Sequence, residues 1–117
     1  MRTSNKKLNP SLKRQLKKTF ALAIADFKNM EEANVFLNDF LNDSELETYT
    51  KRFAIAYWLK KGRSYTNIRD NLKVSSATIA DVSQMMKSPG FKLALQKAEA
   101  EEWADQWVEK IKKFLKR

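Results

Sequence analysis

The chain has 117 residues, with no cysteine, no histidine, two glycines and two prolines. That composition excludes disulfides, thiolate metal sites and a histidine general base. So few glycines and prolines also argue for long helices over sheet hairpins. The formal charge of +9 points to a polyanionic partner, nucleic acid before an anionic membrane, although a merely solvated basic surface gives the same number.

A chain of this length suggests one domain, and a lone monomer of the size buries only about two-thirds of its unfolded surface. The charge is uneven. Residues 1–18 hold seven basic groups and no acid, whereas residues 26–50 hold seven acids and only Lys28 as a base. No signal peptide is visible, because Asp26 cuts short the apolar run that starts at Phe20. No apolar run approaches the ~20 residues of a membrane-spanning helix. The absence of cysteine fits a reducing compartment, and a cytoplasmic location is expected.

In chain order, residues 1–9 read as a disordered basic arm. Asn9-Pro10 then opens a helix, a cap followed by proline at the first helical position. This helix is predicted to run to about Asn29, with Leu12, Leu16, Phe20, Ile24 and Phe27 as its apolar stripe and Lys13, Arg14, Lys17 and Lys18 off it. A second helix is predicted from Glu31 to Leu41. Val35, Phe36, Leu37, Phe40 and Leu41 make it apolar over much of its circumference, so it needs cover from more than one neighbour. Asn42-Asp43 breaks it. Ser44 and Glu47 form an S-x-x-E capping box for a third helix, which runs to Lys61 with Gly62 as its left-handed cap. Leu46, Tyr49, Phe53, Ala56, Tyr57 and Lys60 trace its stripe, widened by Ile55, Trp58 and Leu59. Three helices this apolar in so short a chain predict a homodimer that shares its core.

The stretch GRSYTNIRDNLKVSSATIADVSQMM, residues 62–86, reads as two short helices joined by a tight turn. Ile68 and Leu72 on the first, Val74 in the turn, and Ile79, Val82 and Met86 on the second form one shared apolar face. This is the pattern of a helix-turn-helix spanning about residues 64–87, whose second helix enters the DNA major groove. A plain packed pair of helices satisfies the same pattern. Two residues depart from helix-turn-helix preference: Arg69 stands where a small residue usually allows close approach, and Lys73 where glycine often makes the turn. Ser88-Pro89 starts a last amphipathic helix, expected to reach Lys116, on which Phe91, Leu95, Ala98, Trp103, Trp107, Ile111 and Phe114 or Leu115 recur every three to five residues. Its middle is acidic and its end basic.

The segment LNDSELETYTKRFAIAYWLKKG, residues 41–62, followed by SYTNIRDNLKVSSATIADVSQ, resembles the Trp repressor family, in particular Trp repressor-like helix-turn-helix proteins of unknown effector. The likeness covers about residues 31–86. It implies an all-α, interlocked homodimer that places two recognition helices on a near-palindromic operator. Carried over position by position, Arg69 and Thr78 fall on phosphate-contacting sites, and Ser76, Ala77 and Ala80 on sites facing base edges. Arg52 falls on the arginine that holds the carboxylate of bound tryptophan. Asp81 stands where a second arginine covers the indole ring, and Asn42 where a threonine precedes the third helix. These two departures imply that tryptophan is not the effector, and they leave Asn42, Arg52 and Asp81 lining an effector pocket of another character.

The expected function is therefore a sequence-specific, DNA-binding transcriptional regulator acting as a homodimer, with double-stranded DNA as partner and no cofactor. Arg63, Arg69, Lys73 and Lys87 would neutralise phosphates. Thr66, Ser75, Ser76, Ala77, Thr78, Ala80 and Asp81 complete the candidate DNA surface. The alternative is a helical dimer that has lost DNA binding and serves as a protein-interaction module. Asp81 supports it, since an acid in the groove repels phosphates unless it accepts from a cytosine amino group. An enzyme is not expected, because neither a phosphate loop nor a nucleophile–base set is present.

Overall fold

The computed structural model describes residues 5–116, so the first four residues of the expected basic arm lie outside the described residues. Among the described residues there are six helices: α1 (Pro10–Ala25), α2 (Met30–Phe40), α3 (Asp43–Lys60), α4 (Tyr65–Leu72), α5 (Ser76–Met85) and α6 (Pro89–Leu115). The all-α class read from the sequence is correct. None of these helices is long and apolar enough to cross a membrane. The chain divides into two compact units, Met1–Leu46 and Glu47–Arg117, with the division in the first turn of α3.

In the first unit, Asn9 caps α1 as expected, its side chain accepting from the Ser11 N–H at 2.8 Å, with Pro10 next. The helix stops at Ala25, four residues before the expected end. The cause is the start of α2. Asn29 accepts from the Glu32 N–H at 2.9 Å, and the Glu32 carboxylate accepts from the Lys28 N–H at 3.0 Å. These two hydrogen bonds fix the start of α2 with Asn29 in extended backbone, so α1 cannot continue through it. α2 accordingly spans Met30–Phe40 rather than Glu31 to Leu41. Phe20, Phe27, Phe36 and Phe40 form an aromatic cluster, with Phe36 and Phe40 stacked at 4.9 Å between ring centroids. Yet neither α1 nor α2 contains a buried residue.

α3 also begins earlier than the sequence suggests. Its capping box is Asn42 with Glu45, not Ser44 with Glu47. Asn42 accepts from the Glu45 N–H at 2.8 Å, and Glu45 accepts from the Asn42 N–H at 3.0 Å. The helix ends at Lys60. Gly62, at φ +87°, lets the Arg63 N–H reach the Trp58 carbonyl at 3.1 Å and the Gly62 N–H reach Leu59 at 3.0 Å. That is a Schellman cap, and glycine supplies its left-handed residue at no steric cost.

The core of the second unit is built from Ile55 and Ala56 of α3, Ile68 of α4, Ile79 and Val82 of α5 and Leu95 of α6, all buried. Phe53, Tyr57, Trp58, Leu59, Leu72, Val74, Met86 and Phe91 pack around it. The buried face of α3 thus centres on Ile55 and Ala56, while Tyr49, expected on the stripe, is exposed. Phe53 and Phe91 lie with rings parallel, 6.2 Å apart, and Lys60–Glu99 and Lys61–Glu102 ion pairs at 3.2 and 3.0 Å tie the end of α3 to α6.

Candidate nucleic-acid interface

α4 and α5 bury one residue type at the spacing a crossed pair requires. Ile68, Ile79 and Val82 are fully or almost fully buried, with Leu72, Val74 and Met86 half-buried beside them. The turn between the helices carries the one positive-φ non-glycine among the described residues, Lys73 (φ 57°, ψ 51°). Its N–H reaches the Arg69 carbonyl at 3.0 Å, and the Val74 N–H reaches the same carbonyl at 3.4 Å. Lys73 therefore does the work of a cap glycine. The left-handed conformation costs a non-glycine residue about 1 kcal/mol, and the partial burial of Val74 directly after it offsets that cost.

α5 starts at a side-chain cap. Ser75 Oγ accepts from the Thr78 N–H at 3.1 Å and shares a hydrogen bond with Thr78 Oγ1 at 2.9 Å. Ser75 and Thr78 thus hold the first turn open to solvent rather than standing free. Every residue expected at the DNA surface is exposed: Arg63, Thr66, Arg69, Lys73, Ser75, Ser76, Ala77, Thr78, Ala80, Asp81 and Lys87. Arg69 sits where its guanidinium meets both helices, with Nη1 donating to Ser76 Oγ at 3.4 Å and Nε 3.5 Å from Asp70. The space a small residue would leave at that position is not needed, because the long side chain turns outward. Arg63 lies over the Trp58 ring at 4.0 Å and donates to Asn67 Oδ1 at 3.4 Å, while Lys87 donates to Gln84 at 3.3 Å.

α3 and α5 enclose a pocket of about 290 Å³ lined by Thr48, Lys51, Arg52, Ile55, Val74, Thr78, Asp81, Val82 and Met85. Arg52 and Asp81 are therefore brought to one pocket, as expected. Among the described residues no ion pair joins Asp81 to Arg52 or Arg69 across it. Nearer partners take both arginines, since Arg69 meets its neighbour Asp70 and Arg52 lies 5.3 Å from the Tyr49 ring centroid. Asn42 is occupied in capping α3.

A family model described as Trp repressor protein matches residues 14–99. The chain belongs to the Trp repressor family. No curated protein and no solved structure gives a significant match. Trp repressor family members are helix-turn-helix regulators that bind DNA, not enzymes. The match is longer than the expected 31–86. It takes in most of α1 and the first turns of α6, and it leaves α6 from Ala100 onward outside.

Six lining residues of this pocket were not singled out from sequence as site residues: Thr48, Lys51, Ile55, Val74, Val82 and Met85. The signal was present. Thr48, Lys51, Arg52 and Ile55 repeat at three- and four-residue steps on α3, and Thr78, Asp81, Val82 and Met85 do so on α5, each set marking one face of a helix.

Proposed function

We propose that the protein is a homodimeric, sequence-specific DNA-binding transcriptional regulator that reads its operator with α5, and that tryptophan does not gate it. The observation that carries this reading is the α4–α5 unit itself. Three buried aliphatics lock the two helices together, and the first turn of α5 stands exposed between Arg69, Lys73 and Lys87. A helix of ten residues is about 15 Å long, and the major groove is about 12 Å wide, so the first two turns of α5 suffice to reach base edges. Ser76, Ala77 and Ala80 would face the bases; Arg63, Arg69, Thr78, Lys73 and Lys87 would take phosphates and fix the register.

The dimer reading is supported by the first unit, in which Leu12, Leu16, Phe20 and Ile24 are each between 43% and 51% exposed. A stripe of large apolar side chains left in water on a helix with no buried residue is what a second protomer would cover. The absence of tryptophan response is supported by Asp81, a carboxylate in the pocket with no cation engaged to it among the described residues.

Selection of genomic fragments by the purified protein, followed by retention of the recovered duplex across a salt series, tests the reading. Enrichment of a two-fold symmetric sequence is expected. Absence of retention even at low salt would move the assignment to a helical protein-interaction module.

A further inference from the structure

A pocket of about 410 Å³ opens where the end of α3, the end of α5 and the first turns of α6 meet. Lys60 comes from α3, Ser83 and Met86 from the end of α5 with Lys87 just after them, and Lys92, Leu95 and Gln96 from α6. The sequence spacing brings them together. Met86 and Lys87 follow Ser83 by three and four residues, and Leu95 and Gln96 follow Lys92 by the same steps, so each set shares one side of its helix end. Leu95 is buried and Met86 half-buried, which gives the pocket an apolar part.

The lining holds three lysines and no carboxylate, whereas Asp81 stands in the α3–α5 pocket. Lys60 is answered in part by Glu99 at 3.2 Å, and Lys87 donates to the neutral Gln84 at 3.3 Å. Lys92 and Ser83 have no side-chain partner among the described residues. Three ammonium groups around one concavity repel one another, and a bound anion relieves that repulsion. Lysine meets phosphate as a compact point charge with three donors. The Ser83 hydroxyl and the Gln96 amide suit neutral polar atoms of the same ligand. The volume is that of a small-molecule site, larger than a single ion needs.

We propose that this pocket binds a small phosphate ester with a ring-bearing organic part, and that the bound ester weakens the protein's hold on DNA. Lys87 and Lys92 take the phosphate, assisted by Lys60, and the ring lies against Met86 and Leu95. A methionine thioether is polarizable and makes favourable contact with a flat ring. The coupling to DNA runs through Lys87, one of the cations assigned above to the DNA backbone. Once an ester phosphate neutralises that ammonium, the protein has one phosphate contact fewer to offer DNA in each half of a dimer. By linkage, DNA lowers the affinity for the ester by the same factor. The regulatory half of this proposal rests on the DNA-binding reading; the binding site does not.

Titration calorimetry of the DNA-free, full-length protein at about 150 mM salt tests the site, with adenosine monophosphate, inorganic phosphate and adenosine as probes. The monophosphate should bind with a dissociation constant below about 1 mM, inorganic phosphate more weakly, and adenosine not measurably. Lys92→Gln should weaken the monophosphate by about tenfold or more, the loss of one charge-assisted hydrogen bond. Lys92 is exposed, so the fold should be unaffected. Lys13→Gln, an exposed cation of α1 outside the pocket, should change nothing. Amide NMR shifts during the titration should centre on Ser83 to Lys87 and Lys92 to Gln96. Saturating monophosphate should then weaken operator binding by the parent protein. If neither the monophosphate nor inorganic phosphate binds, or if Lys13→Gln costs as much as Lys92→Gln, the attraction is at most that of a basic surface and the site is overturned. If Lys92→Gln leaves the monophosphate unaffected but flattens the salt dependence of DNA retention, the pocket belongs to the DNA backbone and the small ligand is overturned. Monophosphate binding in the pocket that leaves DNA retention unchanged would overturn the regulatory half alone. A protein that binds the monophosphate there but retains no DNA would instead overturn the DNA-binding reading and leave the site standing.

Discussion

Replacing Arg69 by alanine separates phosphate binding from both fold and base reading. Arg69 is exposed on α4, and its guanidinium is held by Asp70 at 3.5 Å and Ser76 at 3.4 Å. An exposed ion pair of that kind is worth about 0–1 kcal/mol and yields readily to a phosphate. Its loss should therefore leave thermal unfolding within about 0.5 kcal/mol of the parent. Binding should change more. If Arg63, Arg69, Lys73 and Lys87 each neutralise one phosphate in both halves of a dimer, log affinity against log salt should fall with a slope of about −7. Arg69→Ala removes two of those contacts and should flatten the slope to about −5. A fourfold rise in salt then weakens the parent by about four decades and the variant by about three. Fluorescence anisotropy with the selected operator and with a scrambled duplex, between 50 and 200 mM salt, reads both slopes. An unchanged slope, or a loss confined to the operator, would refute the placement of Arg69 on a phosphate.

Lys73→Gly should stabilise the protein by roughly 0.5–1 kcal/mol, because relief of the left-handed strain exceeds the added freedom of the unfolded chain; thermal denaturation checks it, and the same variant should bind DNA more weakly for want of a cation. Ile68→Ala removes most of a side chain that is 0% exposed and should cost about 2–5 kcal/mol, seen as a large drop in the midpoint of urea unfolding. Sedimentation at micromolar concentration should find dimers or larger species, and Leu16→Lys with Phe20→Lys should shift the protein to a smaller species; a wild-type monomer would contradict the reading of α1 as a covered face.

How far the sequence alone reaches differs from element to element. The α4–α5 unit was legible because Ile68, Leu72, Val74, Ile79, Val82 and Met86 fall at the spacing of one shared apolar face, a signal strong enough to outweigh Lys73 standing where glycine often makes the turn. The start of α3 was harder. Asn42 to Glu45 and Ser44 to Glu47 are overlapping boxes of similar chemistry, and the earlier one prevails because it adds backbone bonds such as Leu46 N–H to Asn42 at 2.9 Å. The apolar spacing of α1 continues to Phe27 and suggests a later end, whereas the competing cap is the side chain of Asn29 itself, which accepts from the Glu32 N–H. On α6 the apolar residues read as one stripe, but the five-residue step from Ala98 to Trp103 turns the helix by about 140°, which moves the tail's stripe off the docked face. The partners of Arg52 and Arg69 depend on which group lies nearest in space, which no spacing in the chain determines.

That last point decides what the pocket can accept. Among the described residues no ion pair reaches Asp81, so its carboxylate faces solvent and the pocket of about 290 Å³ without a counter-charge engaged to it. Lys51, the second cation of the lining, is 3.2 Å from Glu47. Arg52 is then the cation left to hold a ligand carboxylate, and Asp81 opposes it. At an effective dielectric of about 20, like charges ~6 Å apart cost nearly 3 kcal/mol, roughly a hundredfold in affinity. Asp81 also offers no planar cation to lie on an indole face, where an arginine would. Titration calorimetry with tryptophan should therefore show no binding at millimolar ligand, with or without operator DNA. Asp81→Arg reverses the charge and supplies the planar group, so it should raise tryptophan affinity by about a hundredfold or more. Because Asp81 is exposed and no ion pair reaches it among the described residues, the same substitution should leave the thermal midpoint nearly unchanged. Tight tryptophan binding by the wild-type chain that also strengthens its hold on DNA would overturn the assignment of Asp81 as the residue that excludes the ligand.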